Sequence, residues 1–455
     1  MSGLKLFYFV LFGQAISLLG STLTNFGLAV WAYELSNEVT NFTTIAIAST
    51  LPGLLLGPFI GTLIDRVKRK TILFFAQFGS AVVTAVLAGL YWTDQLQVWH
   101  IIAIVPVASV CATMLQVGFT SCISLVVPRD KLSKANGMMG LGFGSVQLAG
   151  PLLAGLAIDT IGMRGIFLID IATFIVGLLT IAVAAIPTPE KDPTKEKFTF
   201  RHMYLDLRDA YHYMKGKKGI LGGLYVFTLV WFNVSIVQVL FLPLVLGLGS
   251  RTDLGLVQSM GGVGTLVGGI LMVVWKGASR QTYAILGTSL FISFMLIVIP
   301  IGQQIWMLAL GAFIVMAAAP IAAASSQTLW QKKVDASYQG RVFSLRNTIM
   351  RSAQPLAFLS AGFLADNYFE PFMMEGQILA QYFGDIWGTG QSRGVALMIS
   401  CAGALSVVFV LLAWMMPGVR RVDIDLPDVE EPKIEAPAEG DVKDEVKGDV
   451  TERKI

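Results

Sequence analysis

Asp170 is a carboxylic acid inside an otherwise apolar stretch of the sequence, six residues after Arg164. An ionisable residue in such a stretch is a functional candidate by default, because charge is costly in a membrane. One interpretation is a carboxyl that binds and releases a proton. The other is a structural acid that pairs with Arg164 or caps backbone groups. Glu34, at the end of the first apolar run, is a second candidate for proton coupling, although a solvated position suits it equally.

Polar side chains repeat at helical spacing in two further places. The early stripe is Gln14, Ser17, Ser21 and Thr24, and the later one, at the same intervals, is Thr228, Trp231, Ser235 and Gln238. Residues three or four apart share one helix face. Together with Gln116, these stripes predict the lining of a substrate cavity. Hydrogen-bonded helix packing is the alternative.

Several other kinds of chemistry are excluded. The three cysteines, Cys111, Cys122 and Cys401, are scattered through apolar runs, and the histidines form no ligand group. The sequence contains no nucleophile–base pair and no glycine-rich phosphate loop followed by Lys and Ser or Thr. We therefore expect no enzymatic activity, no metal and no cofactor.

The elements that hold these residues are membrane helices. Hydrophobic residues make up 55% of the 455 and charged residues only 14%, whereas soluble domains carry about 25% charged residues. A bilayer core of about 30 Å requires about 20 apolar residues in a helix. The apolar runs predict an all-α membrane protein with twelve transmembrane helices at 6–34, 42–64, 71–92, 98–126, 136–159, 164–186, 219–248, 253–275, 282–300, 304–330, 341–365 and 393–416.

Lysine and arginine concentrate in alternate loops. If the N-terminus is cytoplasmic, only Arg164, Arg251 and Arg393 fall in the outer loops. The positive-inside rule therefore predicts a multi-pass protein of the cell membrane, which in bacteria is the inner membrane, with both termini cytoplasmic. A net charge of +3 gives no reason to expect a nucleic-acid partner.

A long basic connection divides the chain into two six-helix halves, 1–186 and 219–416. The connection, 187–218, repeats Phe200, Tyr204, Leu207, Tyr211 and Met214 along one face, which predicts an amphipathic helix on the inner leaflet. An outer loop covers 366–392, and the acidic tail 417–455 is predicted to be disordered. The similar segments 154–159 and 361–366 each end in Asp, 207 residues apart, and support two repeated halves.

Glycines recur at four-residue spacing in the predicted helices. The sets are Gly53, Gly57 and Gly61 in helix two, Gly140 and Gly144 in helix five, and Gly264 and Gly268 in helix eight. Small residues at this spacing let helix backbones approach closely. Weak, close contacts of this kind suit two halves that rock against each other, and static packing is the alternative.

The loop between predicted helices two and three carries a glycine four residues before an acid, followed by a basic cluster: Gly61, Asp65, Arg66, Arg69 and Lys70. This loop resembles the signature of the major facilitator superfamily. Residues 13–24, 135–137 and 340–344 resemble the macrolide-efflux branch of its drug:proton antiporters. Gly150, Pro151 and Gly155 are similar to the helix-five motif of exporters. The resemblance covers about residues 5–416.

The resemblance implies alternating access and proton-driven export of hydrophobic or amphipathic small molecules. It also implies a gate in which Asp65 caps the start of helix eleven near Gly340, with Arg341 or Arg346 adding a cation. We expect a functional monomer whose partners are membrane lipids, a small-molecule substrate and protons. A siderophore or lysophospholipid transporter and a non-transporting scaffold are alternatives. Arg346 and Arg351 are predicted to clamp the inner gate; snorkelling to the cytoplasmic surface or binding an anionic group of the substrate are the alternatives.

Overall fold

The computed structural model describes residues 3–36, 38–127, 132–184, 200–217, 219–275 and 278–429. Its N-terminal half consists of α1 (Gly3–Ser36), α2 (Val39–Arg66), α3 (Arg69–Trp92), α4 (Val98–Val126), α5 (Leu132–Thr160) and α6 (Gly162–Val183). After α7 (Phe200–Gly216), the C-terminal half consists of α8 (Ile220–Leu246), α9 (Arg251–Val274), α10 (Gln281–Val298), α11 (Ile305–Lys333), α12 (Ala336–Leu364) and α15 (Arg393–Met415). The short helices are α13 (Glu370–Phe372), α14 (Ile378–Trp387), α16 (Pro417–Arg420) and α17 (Val422–Asp425).

The long helices are those that a bilayer requires, because a helix satisfies its own backbone groups in hydrocarbon. Eleven of the described helices are long and apolar enough to span a membrane. The twelfth, α12, has 29 residues but is more polar, since it carries Arg341, Arg346 and Arg351. It packs against α2 and α8. The predicted all-α membrane fold is confirmed; the boundaries differ most at the start of α12, which begins at Ala336 and not at 341.

The two ends of the helix bundle differ in how their apolar cores are joined. We call the side on which α1 begins the terminal face and the opposite side the far face. One apolar cluster joins the halves near the far face, since it contains Ile158 of α5, Leu254 of α9 and Ala361 of α12. At the terminal face each half has a separate cluster, around Leu73 in the N-terminal half and Trp330 in the C-terminal half. The halves therefore share a core at one end only.

The amphipathic helix α7 lies at the terminal face against α12 and α8. Ala210 and Met214 are fully buried in the cluster around Trp330. The hydroxyl of Tyr213 donates a hydrogen bond to Asp335, and this bond holds the pKa of that carboxyl below its ordinary value. Protein, and not the lipid surface expected from the sequence, therefore covers this part of the helix.

The beginning of the acidic tail is folded, so the predicted disorder of 417–455 is wrong for residues 417–429. Val419 and Val422 are buried against the terminal end of the C-terminal half. Asp423 accepts a hydrogen bond of 2.7 Å from the backbone N–H of Thr282 and so caps α10. The nearly buried Lys333 amine lies 2.8 Å from Asp428. Two valines and two charged contacts order a segment whose overall composition favours disorder; residues 430–455 lie outside the described residues.

Candidate functional site: a two-sided cavity and its gate

The two halves meet along a seam between α5 and α9. A Cβ atom on Gly155 would lie 2.7 Å from the backbone oxygen of Arg251, so the two helix backbones are almost in contact there. The Ser259 hydroxyl accepts a hydrogen bond of 3.2 Å from the backbone N–H of Leu152 across the same seam. Pro151 contributes to the seam as well, because its carbonyl packs against Gly255. The predicted helix-five motif thus lies mostly at the boundary between the halves, while Gly150 packs on α1.

Charged residues join the halves at the far end of this seam. The Arg251 guanidinium donates two hydrogen bonds of 2.7 Å to the carboxylate of Glu34, at the end of α1. The Thr252 hydroxyl donates one of 2.5 Å to Asp159, at the end of α5. The sequence allowed a solvated Glu34 or a proton site there. In the structure Glu34 is ion-paired with Arg251 across the boundary between the two halves.

A second contact at the far face joins α12 to α2. Asp366, just beyond the end of α12, accepts hydrogen bonds of 2.9 Å and 2.7 Å from the backbone N–H groups of Val39 and Thr40. The N-cap residue of α2, Glu38, makes no such capping bond itself. The first turn of a helix has unpaired N–H groups and a partial positive charge, which a carboxylate stabilises. The N-terminal half therefore takes its cap for α2 from the C-terminal half.

Asp159 and Asp366 are equivalent positions of the internal repeat. Each lies at the end of a helix, and each binds the first turn of a helix in the opposite half. The repeat is recognisable in the sequence, but a role for these two acids is not. The Asp that ends both repeated segments was the sequence signal for a shared role. Its hydrogen-bond partners could be identified only from the positions of α2 and α9 in the fold.

The halves diverge toward the terminal face. The face of α5 that meets α9 continues toward the terminal face through Gly144 and Gly140. The face of α2 that meets α12 continues through Gly57 and Gly61. A Cβ at any of these four glycines would have no described atom within 4 Å. The same helix faces are thus in contact at the far face and separated at the terminal face. Gly264, in contrast, packs on α11 inside the C-terminal half.

A cavity of about 280 Å³ lies where the facing helices of the two halves separate. It is bounded by the middle portions of three helices, α2 and α4 from one half and α12 from the other. Its lining consists of Ser49, Thr50, Gly53, Leu54, Ser109, Ala112, Thr113, Gln116, Arg351, Gln354 and Pro355. Gln116 is the predicted cavity residue that this lining includes. The position between the halves and at mid-helix is where secondary transporters bind their substrates.

The early polar stripe on α1 lies inside the N-terminal half. Gln14, Ser17 and Thr24 are buried, and Gln77 of α3 donates a hydrogen bond of 2.6 Å to the Ser17 hydroxyl. Ser21 is 3.5 Å from the Asp170 carboxylate of α6. In this conformation the stripe joins helices of one half, as the packing alternative expected, and does not line the cavity between the halves.

The later stripe, on α8, is divided. Ser235 is buried, and its hydroxyl donates to the carbonyl of Trp231 one turn earlier. Trp231 and Gln238 are exposed, seven residues apart on the same face. The Gln238 amide oxygen accepts a hydrogen bond of 3.3 Å from Gln354, which lines the cavity. Gln238 is therefore next to the lining, whereas Ser235 contributes to helix packing.

Asp170 is almost completely buried between α1, α3 and α6. The Thr84 hydroxyl donates a hydrogen bond of 3.1 Å to its carboxyl, and Gly20 of α1 packs against it. Arg164 is exposed, and within the described part of the chain no cation forms an ion pair with Asp170. The pairing of Asp170 with Arg164 that the sequence allowed is therefore absent. The Asp170 carboxyl therefore has hydroxyl neighbours but no described counter-ion.

The basic cluster of the signature loop binds helix ends. The Arg69 guanidinium donates a hydrogen bond of 2.5 Å to the carbonyl of Ser121 near the end of α4. The Lys70 amine donates one of 2.6 Å to the carbonyl of Ala182 at the end of α6. Cations suit these positions because the last carbonyls of a helix lack partners and carry partial negative charge. The side chains of Asp65 and Arg66 lie outside the described part of the structure.

The arginines of α12 have different surroundings. Arg346 donates hydrogen bonds of 3.0 Å and 3.3 Å to Ser326 and Gln327 of α11, and its guanidinium lies over the ring of Trp330. It therefore stabilises the C-terminal half in this conformation. Gly340 and Arg341 are exposed at the start of α12 on the terminal face.

Replacing Asp366 by Asn should open the far face in a larger fraction of molecules. Asn keeps one oxygen acceptor but loses the other together with the charge, and a charge at a partly buried helix N-terminus contributes about 1 kcal/mol. We expect the open-to-closed ratio at the far face to rise about fivefold. Spin labels on the exposed far-face residues Gln95 and Gln303, one in each half, would report it.

The matched control for this variant is Asn367→Ala, because Asn367 is exposed and its side chain bonds only within α12 and the turn that follows it. It should leave the label distances unchanged. Equal distance distributions for Asp366→Asn and the unsubstituted protein would show that the cap does not hold this face.

The chain resembles known transporters in sequence and fold. Residues 10–358 match the family model described as the Major Facilitator Superfamily. Macrolide efflux protein A of Streptococcus pyogenes is 23% identical over 365 residues, which cover 79% of this chain and 89% of that protein. Multidrug resistance protein MdtG of Proteus mirabilis is 26% identical over 380 residues, which cover 79% of this chain and 89% of that protein.

A bacterial homologue of the human lysosomal transporter Spinster has a similar fold, with a TM-score of 0.63 at 14% identity over 92% of this chain and 97% of that one. A POT family peptide transporter gives 0.65 at 12% identity over 94% of this chain and 99% of that one. The family match extends over most of the chain, and the two six-helix halves agree with it. The protein therefore belongs to the Major Facilitator Superfamily and is a membrane transporter, not an enzyme.

Proposed function

We propose that this protein is a proton-coupled exporter of amphipathic small molecules that works by alternating access. The observation that carries the proposal is the cavity between the halves, which is closed at the far face and widens toward the terminal face. The distribution of lysine and arginine supports a cytoplasmic terminal face. A substrate would then enter from the cytoplasm or the inner leaflet. The efflux in the name of one relative, macrolide efflux protein A of Streptococcus pyogenes, supports this direction.

Asp170 is the residue we assign to proton coupling. A buried carboxylate without a cation is costly in an apolar surrounding, and binding a proton removes that cost. Its hydroxyl neighbours on α1 and α3 can bond to either form of the carboxyl. Since α1, α3 and α6 all contribute to this pocket, a change of charge there would alter the packing of the N-terminal half and hence its fit to the C-terminal half.

The Asp65 gate remains part of the proposal for the opposite conformation. When the terminal face closes, the end of α2 would approach the start of α12, whose first turn begins at Ala336 and not at Gly340. Asp65 would then cap α12 in the way that Asp366 caps α2 at the far face. The similar positions of Asp65 and Asp366 support this assignment. Asp65 lies at the end of α2, and Asp366 lies just beyond the end of α12.

The function is tested by a resistance and metabolite profile followed by reconstitution. Expression in an efflux-deficient bacterium would identify compounds that are removed from the cell. The purified protein in proteoliposomes should then accumulate such a compound against its gradient when a pH difference is imposed. Collapsing the pH difference with nigericin should abolish accumulation. Accumulation that survives nigericin, with no proton movement, would rule out proton coupling.

A further inference from the structure

Arg351 is the one charged residue among the described lining of the cavity between the halves. Its side chain is exposed to that cavity and makes no ion pair or hydrogen bond with any described residue. An arginine keeps its charge under all ordinary conditions. Arginines within membrane helices are rare, and those that face a cavity typically mark the path of a substrate or an ion.

The position of Arg351 near the middle of α12 is unlike that of an arginine whose side chain reaches the lipid headgroups. It is 15 residues from the start of α12 at Ala336, which at 1.5 Å per residue is about 22 Å along the helix. A side chain snorkels to the interface only near a helix end. The opposite end, at Leu364, is nearly as far away. The guanidinium belongs to the lining of the cavity and not to either end of the helix.

The neighbouring arginine of the same helix provides a contrast. Arg346 is held by Ser326, Gln327 and the ring of Trp330, so its place in the fold is explained by packing. No such partner explains Arg351. In addition, Gln354 and Gln116 present amide groups to the same cavity, and Ser109 and Thr113 line it on the side of α4. The Gln116 amide and the Ser109 hydroxyl can donate to an anion held by Arg351, while Gln354 donates to Gln238 and Thr113 donates to the Ser109 carbonyl.

We propose that Arg351 is the recognition group for an organic anion, and that the substrate class is an amphipathic molecule with a carboxylate, sulfonate or phosphate group. A planar guanidinium binds such groups through two parallel hydrogen bonds. The apolar lining residues Leu54, Ala112 and Pro355 suit the remainder of an amphipathic molecule. The inference rests on the proposed transport function, since it assigns a substrate class to the same cavity.

The same chemistry occurs in soluble organic anions and in lipids with one acyl chain, so the test has one probe for each source. Taurocholate is the soluble anion, lysophosphatidylglycerol is the lipid, and tetraphenylphosphonium is an amphipathic cation for comparison. Binding is measured on the full chain in phosphatidylcholine nanodiscs, which carry no competing net charge. Binding of taurocholate alone identifies a soluble anion, and binding of lysophosphatidylglycerol alone identifies a lipid; either result supports the proposal.

Arg351→Gln should weaken binding of the anion about tenfold to a hundredfold, since hydrogen bonds to charged groups are strong and the amide carries no charge. Arg351→Lys keeps the charge and should recover part of the loss. The control is Arg280→Gln, which removes the same charge from an exposed position on the terminal face. It should change the affinity by less than about twofold. Since Arg351 is exposed and has no described partner, its variants should keep the thermal stability of the unsubstituted protein.

The assignment is overturned if neither anion binds, or if an anion binds the Arg351→Gln variant as tightly as it binds the unsubstituted protein. Transport of tetraphenylphosphonium without binding of either anion would also overturn it. In that last case the protein would still be an exporter, so the failure would concern the anion site and not the proposed function.

Discussion

Asp170→Asn should abolish accumulation driven by a pH difference while substrate exchange continues. Asn has nearly the same shape as Asp and can still accept the hydrogen bond from Thr84, so the packing between α1, α3 and α6 should persist. It cannot take up a proton. A pH difference of about one unit supplies about 1.4 kcal/mol per proton, which corresponds to about tenfold accumulation of substrate. For the variant we expect an accumulation ratio of one.

The measurement uses proteoliposomes and a compound found in the resistance profile. Accumulation under an imposed pH difference is compared with counterflow of labelled substrate in its absence. Glu34→Gln is the control, because Glu34 is the other acid considered from the sequence and belongs to the ion pair of the far face. It should alter the rate of both processes but keep them coupled. If Asp170→Asn accumulates substrate like the unsubstituted protein from pH 6 to 8, Asp170 has a structural role only.

Gly255→Ala and Gly155→Ala should force the far face open. A Cβ on Gly155 would lie 2.7 Å from the Arg251 oxygen and 3.0 Å from the Thr252 Cα. Both are backbone atoms, so no side-chain rotation can relieve the overlap. A Cβ on Gly255 meets the carbonyl of Pro151 in the same way. Overpacking of this kind costs about 1–3 kcal/mol. It is relieved when α5 and α9 separate, so the far face should open about tenfold to a hundredfold more often.

The matched controls lie on the same helix faces, closer to the terminal face. Gly144→Ala on α5 and Gly269→Ala on α9 add the same methyl group where no described atom is within 4 Å. Since Gly to Ala also favours a helix by about 1 kcal/mol, these controls remove that effect from the comparison. Labels on Gln95 and Gln303 should move apart for the seam variants alone. Unchanged distances for both seam variants would show that the contact between α5 and α9 does not close this face.

The sequence predicted the helices well because each one must cross the same apolar thickness. Runs of about 20 apolar residues leave few alternatives, and even the polar α12 could be placed from its position between charged loops. The folded segment 417–429 could not be predicted in this way. Its order depends on Val419, Val422 and the cap that Asp423 provides for α10, which are contacts with distant parts of the chain.

Polar residues on a helix were harder to assign. A stripe such as Ser17, Ser21 and Thr24 indicates that one helix face is polar, but not whether a neighbouring helix or a water-filled cavity lies against it. In the structure Gln77 and Asp170 of the same half take up that face. Arg351 is the opposite case, since the sequence left it between a gate and an anion site, and the absence of a described partner distinguishes it from Arg346.

The cap that Asp366 places on α2 has a thermodynamic consequence for the transport cycle. The helices α2 and α12 run in opposite directions, so each begins where the other ends. If Asp65 caps α12 when the terminal face closes, rocking of the two halves exchanges one carboxylate–helix contact for another of the same kind. The strength of the contact then cancels from the difference between the two conformations, however firmly each face is held. A bias of about 1.4 kcal/mol, which one proton or one bound substrate can provide, would change the ratio of the two populations tenfold.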